Sequence, residues 1–241
     1  MMLALAFPAA RDALADEPAM TEAQKAAFEK LVHDYILNNP TVILESVRAH
    51  QAAEAEAEKA GQKQRLAEMQ EQIVNSKTSP VGGNPSGDVT VVEFFDYRCG
   101  YCKSVHDTVM DTVKSDGKVR LVYKEFPILG PDSVVAAHAA LGVFFNMKDK
   151  YIAFNDALMR AKGGLNEDRV LQIAESIGLD PKAVKKSMSD PRIEKELSHN
   201  MALAESLNIR GTPAFIVNKT LVPGAVDRET LVGLIKEARK G

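Results

Sequence analysis

Two cysteines, Cys99 and Cys102, are the residues whose type and spacing most directly suggest chemistry. They are the only cysteines in the 241-residue sequence, so no thiol is left for a separate structural disulfide or for a complete thiolate metal cage. A pair separated by two residues can form a redox couple through reversible disulfide formation, or it can bind a soft ion such as Cu(I). The spacing alone leaves both interpretations open.

The residues around the pair predict a buried strand followed directly by a helix. The run Val89–Phe95 is β-branched and aromatic with almost no polar residue, which is typical of a strand covered on both faces. Cys99 opens the helix, where unpaired backbone N–H groups and the helix dipole stabilise a thiolate. Cys102 follows three residues later on the same face, close enough to resolve a mixed disulfide. We therefore expect Cys99 to be the nucleophile and Cys102 a more buried thiol.

The segments after this helix predict a compact α/β domain. Residues 119–124 alternate like a strand, which gives the strand-helix-strand order of a parallel unit. Residues 132–207 are predicted to be almost entirely helical, with breaks at glycine-containing turns. Strands at 214–217 and 220–222 and a helix over about 227–240 complete the chain. The predicted design is a small sheet with a long helical insertion.

Helical patterns also precede this domain. Apolar residues recur at helical spacing over residues 21–38, and Thr21 with Gln24 forms a predicted capping box. Pro40 separates this helix from a second helical run that becomes poor in apolar residues. Two short helices without a core of their own must bury their apolar faces somewhere. Self-association through residues 21–48 would do so, and folding back onto the globular domain is the alternative.

These patterns divide the chain into four predicted segments. Residues 1–15 contain a short apolar run and an Ala-Leu-Ala triplet before Asp16, which is typical of a signal-peptide remnant, but they lack the usual basic region. A disordered Ala-rich tail is the alternative. Residues 16–48 form a helical oligomerisation segment, 49–75 a helical linker and 76–241 the α/β domain. No apolar stretch approaches the roughly 20 residues that a membrane span needs, so we expect a soluble, exported protein.

Charge and histidine spacing argue against two other classes of function. Lys and Arg number 30 against 33 Asp and Glu, and no basic cluster is interleaved with aromatic residues, so nucleic-acid binding is not expected. The five histidines show no metal-ligand spacing, and we predict no metal site. His106 lies on the same predicted helix as Cys102 and is interpreted as a solvated helix residue.

Three motifs in order resemble those of the DsbA-like branch of the thioredoxin superfamily. They are Phe94–Cys102 with its Cys-Gly-Tyr-Cys ending, Lys124–Pro131 and Gly211–Phe215. The resemblance covers about residues 73–241. It implies a thioredoxin fold with a helical-insertion domain and a thiol-disulfide oxidoreductase that needs no cofactor beyond its own redox-active disulfide.

The resemblance also implies roles for residues outside the cysteine pair. Glu93 matches the buried acid that helps to move protons from the resolving cysteine, whereas an exposed strand-edge carboxylate is the simpler alternative. Pro213 matches the cis-proline of the superfamily, which would turn the backbone at Thr212 toward Cys99 and let it pair with a substrate strand. An ordinary trans proline at a strand start is the alternative for Pro213.

The active-site dipeptide and the N-terminal helices narrow the resemblance. Gly100 and Tyr101 form a pair that also occurs in DsbC-type isomerases, which favours an isomerase over a strong oxidant. The helices around Pro40 resemble the subgroup named suppressor of copper sensitivity protein C (ScsC). That subgroup implies a periplasmic homotrimer acting on protein substrates with disulfides or thiols, reset by a membrane redox partner of the DsbD or ScsB type. A monomeric DsbA-type oxidase and a copper-binding protein are the alternatives.

Overall fold

The computed structural model describes residues 20–240. The predicted signal-peptide remnant, residues 1–15, lies outside the described residues. The chain divides into two compact units, Met1–Ala57 and Glu58–Gly241. The finer division of the N-terminal part into an oligomerisation segment and a linker stays a prediction.

The described part of the N-terminal unit contains helix α1 (Glu22–Asn38) and the first part of helix α2 (Pro40–Glu68). The capping box between Thr21 and Gln24 is present as predicted, and Pro40 begins α2, where its missing N–H costs no hydrogen bond. No residue of α1 is buried. The large apolar side chains that these two helices expose are Phe28, Leu31, Val32, Tyr35, Leu37, Val42, Ile43, Leu44 and Val47.

The second unit alternates strands with helices. Its strands are β1 (Val81–Gly83), β2 (Val89–Phe95), β3 (Val119–Glu125), β4 (Ala214–Val217) and β5 (Thr220–Pro223). Its helices, after the end of α2, are α3 (Gln70–Val74), α4 (Gly100–Asp116), α5 (Pro131–Asn146), α6 (Tyr151–Arg160), α7 (Glu167–Ser176), α8 (Pro181–Ser187), α9 (Pro191–Ser206) and α10 (Arg228–Ala238). The predicted helical insertion therefore corresponds to α5 through α9.

Within residues 20–240 the strands form one mixed sheet in the order β1-β3-β2-β4-β5. β2 and β3 are parallel, as the strand-helix-strand pattern predicted, and the three remaining pairings are antiparallel. The sequence did not predict β1, because glycines have low strand propensity and the segment is rich in turn formers. Pairing with β3 makes Val81–Gly83 a strand, and Gly83 adopts a φ of 65° in which a Cβ would lie 2.4 Å from the Val119 oxygen.

Helices cover both faces of the sheet, so alternate residues of the central strand β2 enter different cores. Val91 and Phe95 pack with residues of α4, α10 and the helical insertion. Val92 and Phe94 pack with Leu66, Ile73 and residues of α9. Because side chains alternate along a strand, Glu93 belongs to the face that α4 covers. Over the described part of the chain, no helix combines the length and apolarity of a membrane span.

Candidate active site

The two cysteines lie where β2 leads into α4. Cys99 is the N-cap residue of α4, and its Sγ accepts a hydrogen bond from the Cys102 N–H at 3.4 Å. Both residues are free thiols. Cys102 is fully buried, whereas 6% of Cys99 is exposed. The order of burial is the one expected from the sequence, with the outer sulfur at the helix terminus and the inner sulfur one turn later.

Thr212 and Pro213 lie against Cys99 although they are distant in sequence. The Thr212–Pro213 peptide bond is cis, as the resemblance implied. The Cys99 thiol donates a hydrogen bond to the carbonyl oxygen of Thr212 at 3.1 Å. The loop between α9 and β4 therefore presents its backbone directly beside the sulfur that is placed to react.

Glu93 is buried in the middle of the sheet rather than exposed at an edge. Its partners in register are Tyr123 on β3 and Phe215 on β4, and only 4% of the residue is exposed. Burial raises the pKa of Glu93 to about 8. Burial also raises the pKa of the Cys102 thiol, and the nearby charge of Glu93 adds to that rise. The carboxyl group and the inner thiol thus share one low-dielectric environment.

Gly100 and Tyr101 form the solvent side of the cysteine loop. Tyr101 is 71% exposed, and a Cβ built on Gly100 would have no atom within 4 Å. The dipeptide is therefore free to contact an incoming molecule beside Cys99.

Asp96 organises the turn before Cys99, and the sequence analysis did not identify it. Its buried carboxylate accepts four hydrogen bonds, from the backbone N–H groups of Arg98 (2.7 Å), Ile128 (2.8 Å) and Leu129 (3.0 Å) and from the Ser133 hydroxyl (2.8 Å). Asp side chains often accept a hydrogen bond from the backbone N–H two residues later and so stabilise a turn. An Asp directly after a predicted strand could therefore have been recognised in the sequence as a turn residue. Asp96 joins the cysteine turn to the loop before α5.

Glu125 is a second buried carboxyl group that the sequence analysis missed. One of its oxygens accepts hydrogen bonds from the hydroxyls of Tyr97 at 2.8 Å and Tyr151 at 2.9 Å, and Asn155 donates to the Tyr97 hydroxyl at 3.0 Å. Burial, the largest effect, raises the pKa of Glu125 well above its usual value. This network connects the residues before Cys99 with helix α6.

Lys124 points to the opposite face of the sheet and is also buried. Its ammonium group donates to Ser79 at 2.8 Å and lies 3.8 Å from a carboxylate oxygen of Glu196. Burial lowers the pKa of Lys124 to about 8, although Glu196 opposes that change. Adjacent residues Lys124 and Glu125 thus lie in different cores. Two charged residues at the end of a strand gave no indication in the sequence that both side chains are buried.

The expectation that His106 is solvated was wrong. The residue is 6% exposed, and its Nε2 lies 2.9 Å from Oδ1 of Asp156 on α6. Helix α6 covers this face of α4, so the ring fills an interface instead of facing water. Across residues 20–240, no group of three or more His, Cys, Asp or Glu side chains is arranged to hold a metal ion.

Two protein-family models match the chain. The model described as thioredoxin matches residues 75–237. The model described as the N-terminal domain of copper resistance protein ScsC matches residues 24–57. The two matches fall on the cysteine-bearing domain and on the exposed helices, respectively.

Individual relatives agree with these matches. The chain is 29% identical over 150 residues to the probable disulfide bond formation protein D of Bacillus cereus, with 58% of this chain and 69% of that protein covered. A crystal structure of a thioredoxin-like oxidoreductase from Silicibacter pomeroyi is 45% identical, with a TM-score of 0.68 and coverage of 71% of this chain and 98% of that one. A linker-deletion mutant of Proteus mirabilis ScsC is 28% identical, with a TM-score of 0.72 and coverage of 92% and 98%.

Proposed function

The chain belongs to the thioredoxin family and is a thiol-disulfide oxidoreductase of the DsbA and ScsC type, and from this premise we propose that it acts as a disulfide isomerase or reductase on exported proteins. The observation that carries the proposal is the meeting of Cys99 with the Thr212 carbonyl at 3.1 Å, above a buried Cys102 and Glu93. In that arrangement the Cys99 sulfur can react with a substrate first, and the buried Cys102 sulfur can react only afterwards, with Cys99.

The first step of the proposed reaction belongs to Cys99. Its thiolate attacks one sulfur of a substrate disulfide, forms a mixed disulfide and releases the other substrate sulfur as a thiolate. The start of α4 stabilises the attacking anion with its free N–H groups, of which that of Cys102 already faces the sulfur. The backbone of Thr212 would hold the substrate strand during this step.

The mixed disulfide can be resolved in two ways. In isomerisation, a different substrate thiolate attacks it, so that a new substrate disulfide forms and Cys99 leaves as a thiolate. In reduction, Cys102 attacks the sulfur of Cys99, and the substrate leaves with two thiols while the pair becomes a disulfide. Glu93 would accept the proton of Cys102, because its raised pKa makes it a usable base near neutral pH.

Isomerisation requires the cysteine pair to be kept reduced between turnovers. The Gly100-Tyr101 dipeptide supports this assignment by its likeness to DsbC-type isomerases. We propose that a membrane redox partner of the DsbD or ScsB type supplies the electrons that reduce the pair, and that the protein is located in the periplasm. The signal-peptide pattern in the sequence and the match to the ScsC N-terminal domain support an exported protein.

The N-terminal helices are proposed to assemble the protein into a homotrimer. Their exposed apolar side chains include Leu31, which is 66% exposed, and Leu44, which is 55% exposed. Burying such a face against two further copies would remove it from water, and each apolar side chain so buried contributes about 1 to 2 kcal/mol. A trimer would also hold three cysteine pairs around a shared substrate.

The proposed function is tested with a scrambled multi-disulfide protein. We expect the purified, reduced chain to restore the native disulfides and to have a trimer mass in solution, and we expect its Cys99→Ser variant to restore none. A monomer that oxidises dithiols but does not rearrange disulfides would replace this proposal with a DsbA-type oxidase. In cells, a pair found mostly oxidised by thiol trapping would lead to the same replacement.

A further inference from the structure

Two neighbouring cavities form one groove that reaches the loop in contact with the reacting sulfur. The larger, of about 680 Å³, and the smaller, of about 350 Å³, share Gln62 and Leu221 in their walls. Thr212 lines the smaller cavity and accepts the hydrogen bond of Cys99. The groove therefore runs along β5, between that strand and α2, from the β4–β5 turn to the Thr212 loop that contacts Cys99. We refer to it as the β5 groove.

The two ends of the β5 groove differ in chemistry. The cavity that Thr212 lines is mainly apolar, with Ile209, Pro213, Ala214, Leu221 and Pro223 in its wall. Its wall also contains Arg210, whose Nε donates a hydrogen bond to the side-chain oxygen of Asn208. The far cavity is lined by two exposed lysines, Lys63 and Lys219. Its one carboxylate, Glu237, is held by Lys240 at 2.5 Å. The far end is therefore positively charged.

The length of the groove fixes where a bound chain would meet these lysines. β5 spans Thr220–Pro223, and its end at Pro223 pairs with Ala214 beside the Thr212 loop. Lys219 lies just beyond the other end of the strand. Lys219 is four positions from Pro223, and Thr212 is two positions beyond Ala214, so six extended residues, or about 20 Å, separate Lys219 from the level of Thr212. The lysine side chain spans part of that distance, which places its ammonium group within about four to six residues of a cysteine bound to Cys99.

The free edge of β5 favours recognition by side chains. β5 is an edge strand, and Pro223 carries no N–H that could pair with an added strand. The apolar walls and the lysines then supply most of the contact with a bound chain.

We propose that the β5 groove binds an extended segment of the substrate polypeptide in which apolar residues adjoin the reacting cysteine and acidic residues stand four to six positions from it. This inference rests on the proposed function, because it assumes that the substrate of Cys99 is a protein chain. The substrate class that the site would select is a protein segment with acidic residues near its reacting cysteine.

The inference is tested on the full chain with matched peptides. Each peptide carries one cysteine in a disulfide with a fluorescent reporter thiol, apolar residues at the first three positions from it and either Glu or Lys at the fourth to sixth positions. Both sequence directions are made. We expect Glu peptides of one direction to be reduced about three- to tenfold faster than Lys peptides, and the preference to shrink as salt is raised.

Two double variants test whether the preference for Glu peptides arises from the lysines of the β5 groove. Lys63→Glu with Lys219→Glu changes exposed residues of the groove, and we expect it to reverse the preference for Glu peptides. Lys182→Glu with Lys186→Glu makes the same change in charge at exposed positions of α8 and should leave the preference intact. Equal rates for Glu and Lys peptides in the unmodified chain would overturn the inference. An equal loss of preference in both double variants would do so too, because it would indicate a general charge effect.

A binding measurement separates this inference from the proposed function. The same peptides with Ser in place of Cys cannot exchange, so fluorescence anisotropy reports their affinity alone. Tighter binding of the Glu peptide supports the groove even if the chain fails to isomerise disulfides. Exchange with a small disulfide such as oxidised glutathione, without any peptide discrimination in rate or affinity, would leave the proposed chemistry standing and refute the groove.

Discussion

Burial separates the roles of two thiols that lie one helical turn apart. Cys99 caps α4 next to the Thr212 carbonyl, whereas Cys102 is enclosed and its pKa is raised by burial and by Glu93. A thiol with a raised pKa is a poor nucleophile until a base removes its proton. Glu93, whose charge acts on Cys102, is the base that we propose for this step.

The order of the two thiols predicts an intermediate that can be trapped. In a Cys102→Ser variant, Cys99 still attacks a substrate disulfide, but no inner thiol can release the mixed disulfide. We expect a covalent adduct to accumulate on Cys99, visible on non-reducing gels and located by peptide mass spectrometry. The Cys99→Ser variant is the control and should form no adduct; an adduct on its Cys102 would reverse the assignment.

The raised pKa of Glu93 predicts a pH-dependent stability. The folded protein keeps the proton up to about pH 8, whereas the usual value of 4.5 applies to the unfolded chain. The folded state thus binds more protons than the unfolded state between these values, so this residue lowers stability as pH rises from 4.5 to 8. The glutamine of a Glu93→Gln variant cannot ionise. We expect its Tm to exceed that of the parent by roughly 5–10 °C at pH 8.

The comparison is read as Tm against pH for the reduced proteins. The two curves should converge toward pH 4.5, and an exposed-site variant, Glu175→Gln, should follow the parent throughout. Parallel curves for the parent and Glu93→Gln would contradict the assignment. The same variant should also release substrate from the mixed disulfide more slowly, because Cys102 has lost its proton acceptor.

At the scale of elements, α4 is held against the helical insertion by side chains that flank the cysteines. The ammonium group of Lys103, the residue after Cys102, donates to three carbonyl oxygens at the end of α6, those of Leu158, Met159 and Ala161. Unpaired carbonyls end every helix and carry the negative end of its dipole, so a cation there is stabilising. The His106–Asp156 contact joins the same two helices.

A Lys103→Met variant tests this connection. Met has nearly the length of the lysine stem but cannot donate to the α6 carbonyls. We expect the free energy of unfolding to fall by about 1 to 2 kcal/mol in urea titrations. Lys195→Met, at an exposed position of α9, is the matched control and should change stability little. Equal losses in the two variants would show that the contact with α6 contributes nothing specific.

At the scale of the whole molecule, the cysteine pair and most of the exposed apolar side chains lie in different units. The second unit, Glu58–Gly241, contains the cysteine pair, and the exposed apolar helices lie mainly in the first. Leu66 and Ile73 are buried in the core of the second unit. A deletion up to residue 75 would remove part of that core, so a clean separation should be made near residue 57.

We expect residues 58–241 to be monomeric, to exchange small disulfides like the full chain and to lose isomerisation of a scrambled protein. Analytical ultracentrifugation and refolding yields measure these properties. Leu31→Gln with Leu44→Gln should give the same result at full length, because it makes the exposed apolar faces polar. Glu29→Gln, on α1 like Leu31, is the control and should keep the trimer. A truncated protein that stays trimeric would contradict the proposed role of the helices.

Much of the fold followed from local sequence patterns. Val89–Phe95 was identifiable as a buried strand from its unbroken apolar character, and Thr21 with Gln24 marked the start of α1. The strand β1 was missed, because two of its three residues are glycines and only pairing with β3 makes it a strand. His106 was misjudged, because helical spacing does not tell which neighbour covers a face.

The sequence by itself determined the chemistry and its location: two cysteines three positions apart, at a strand-to-helix junction that stabilises a thiolate. Those properties depend on residues a few positions away. Only the tertiary structure brought Thr212 to Cys99, enclosed Glu93 between β3 and β4, and directed Asp96 and Glu125 onto distant hydrogen-bond donors. Burial and pKa depend on which remote segments exclude water from a group, and that is decided when the whole chain packs.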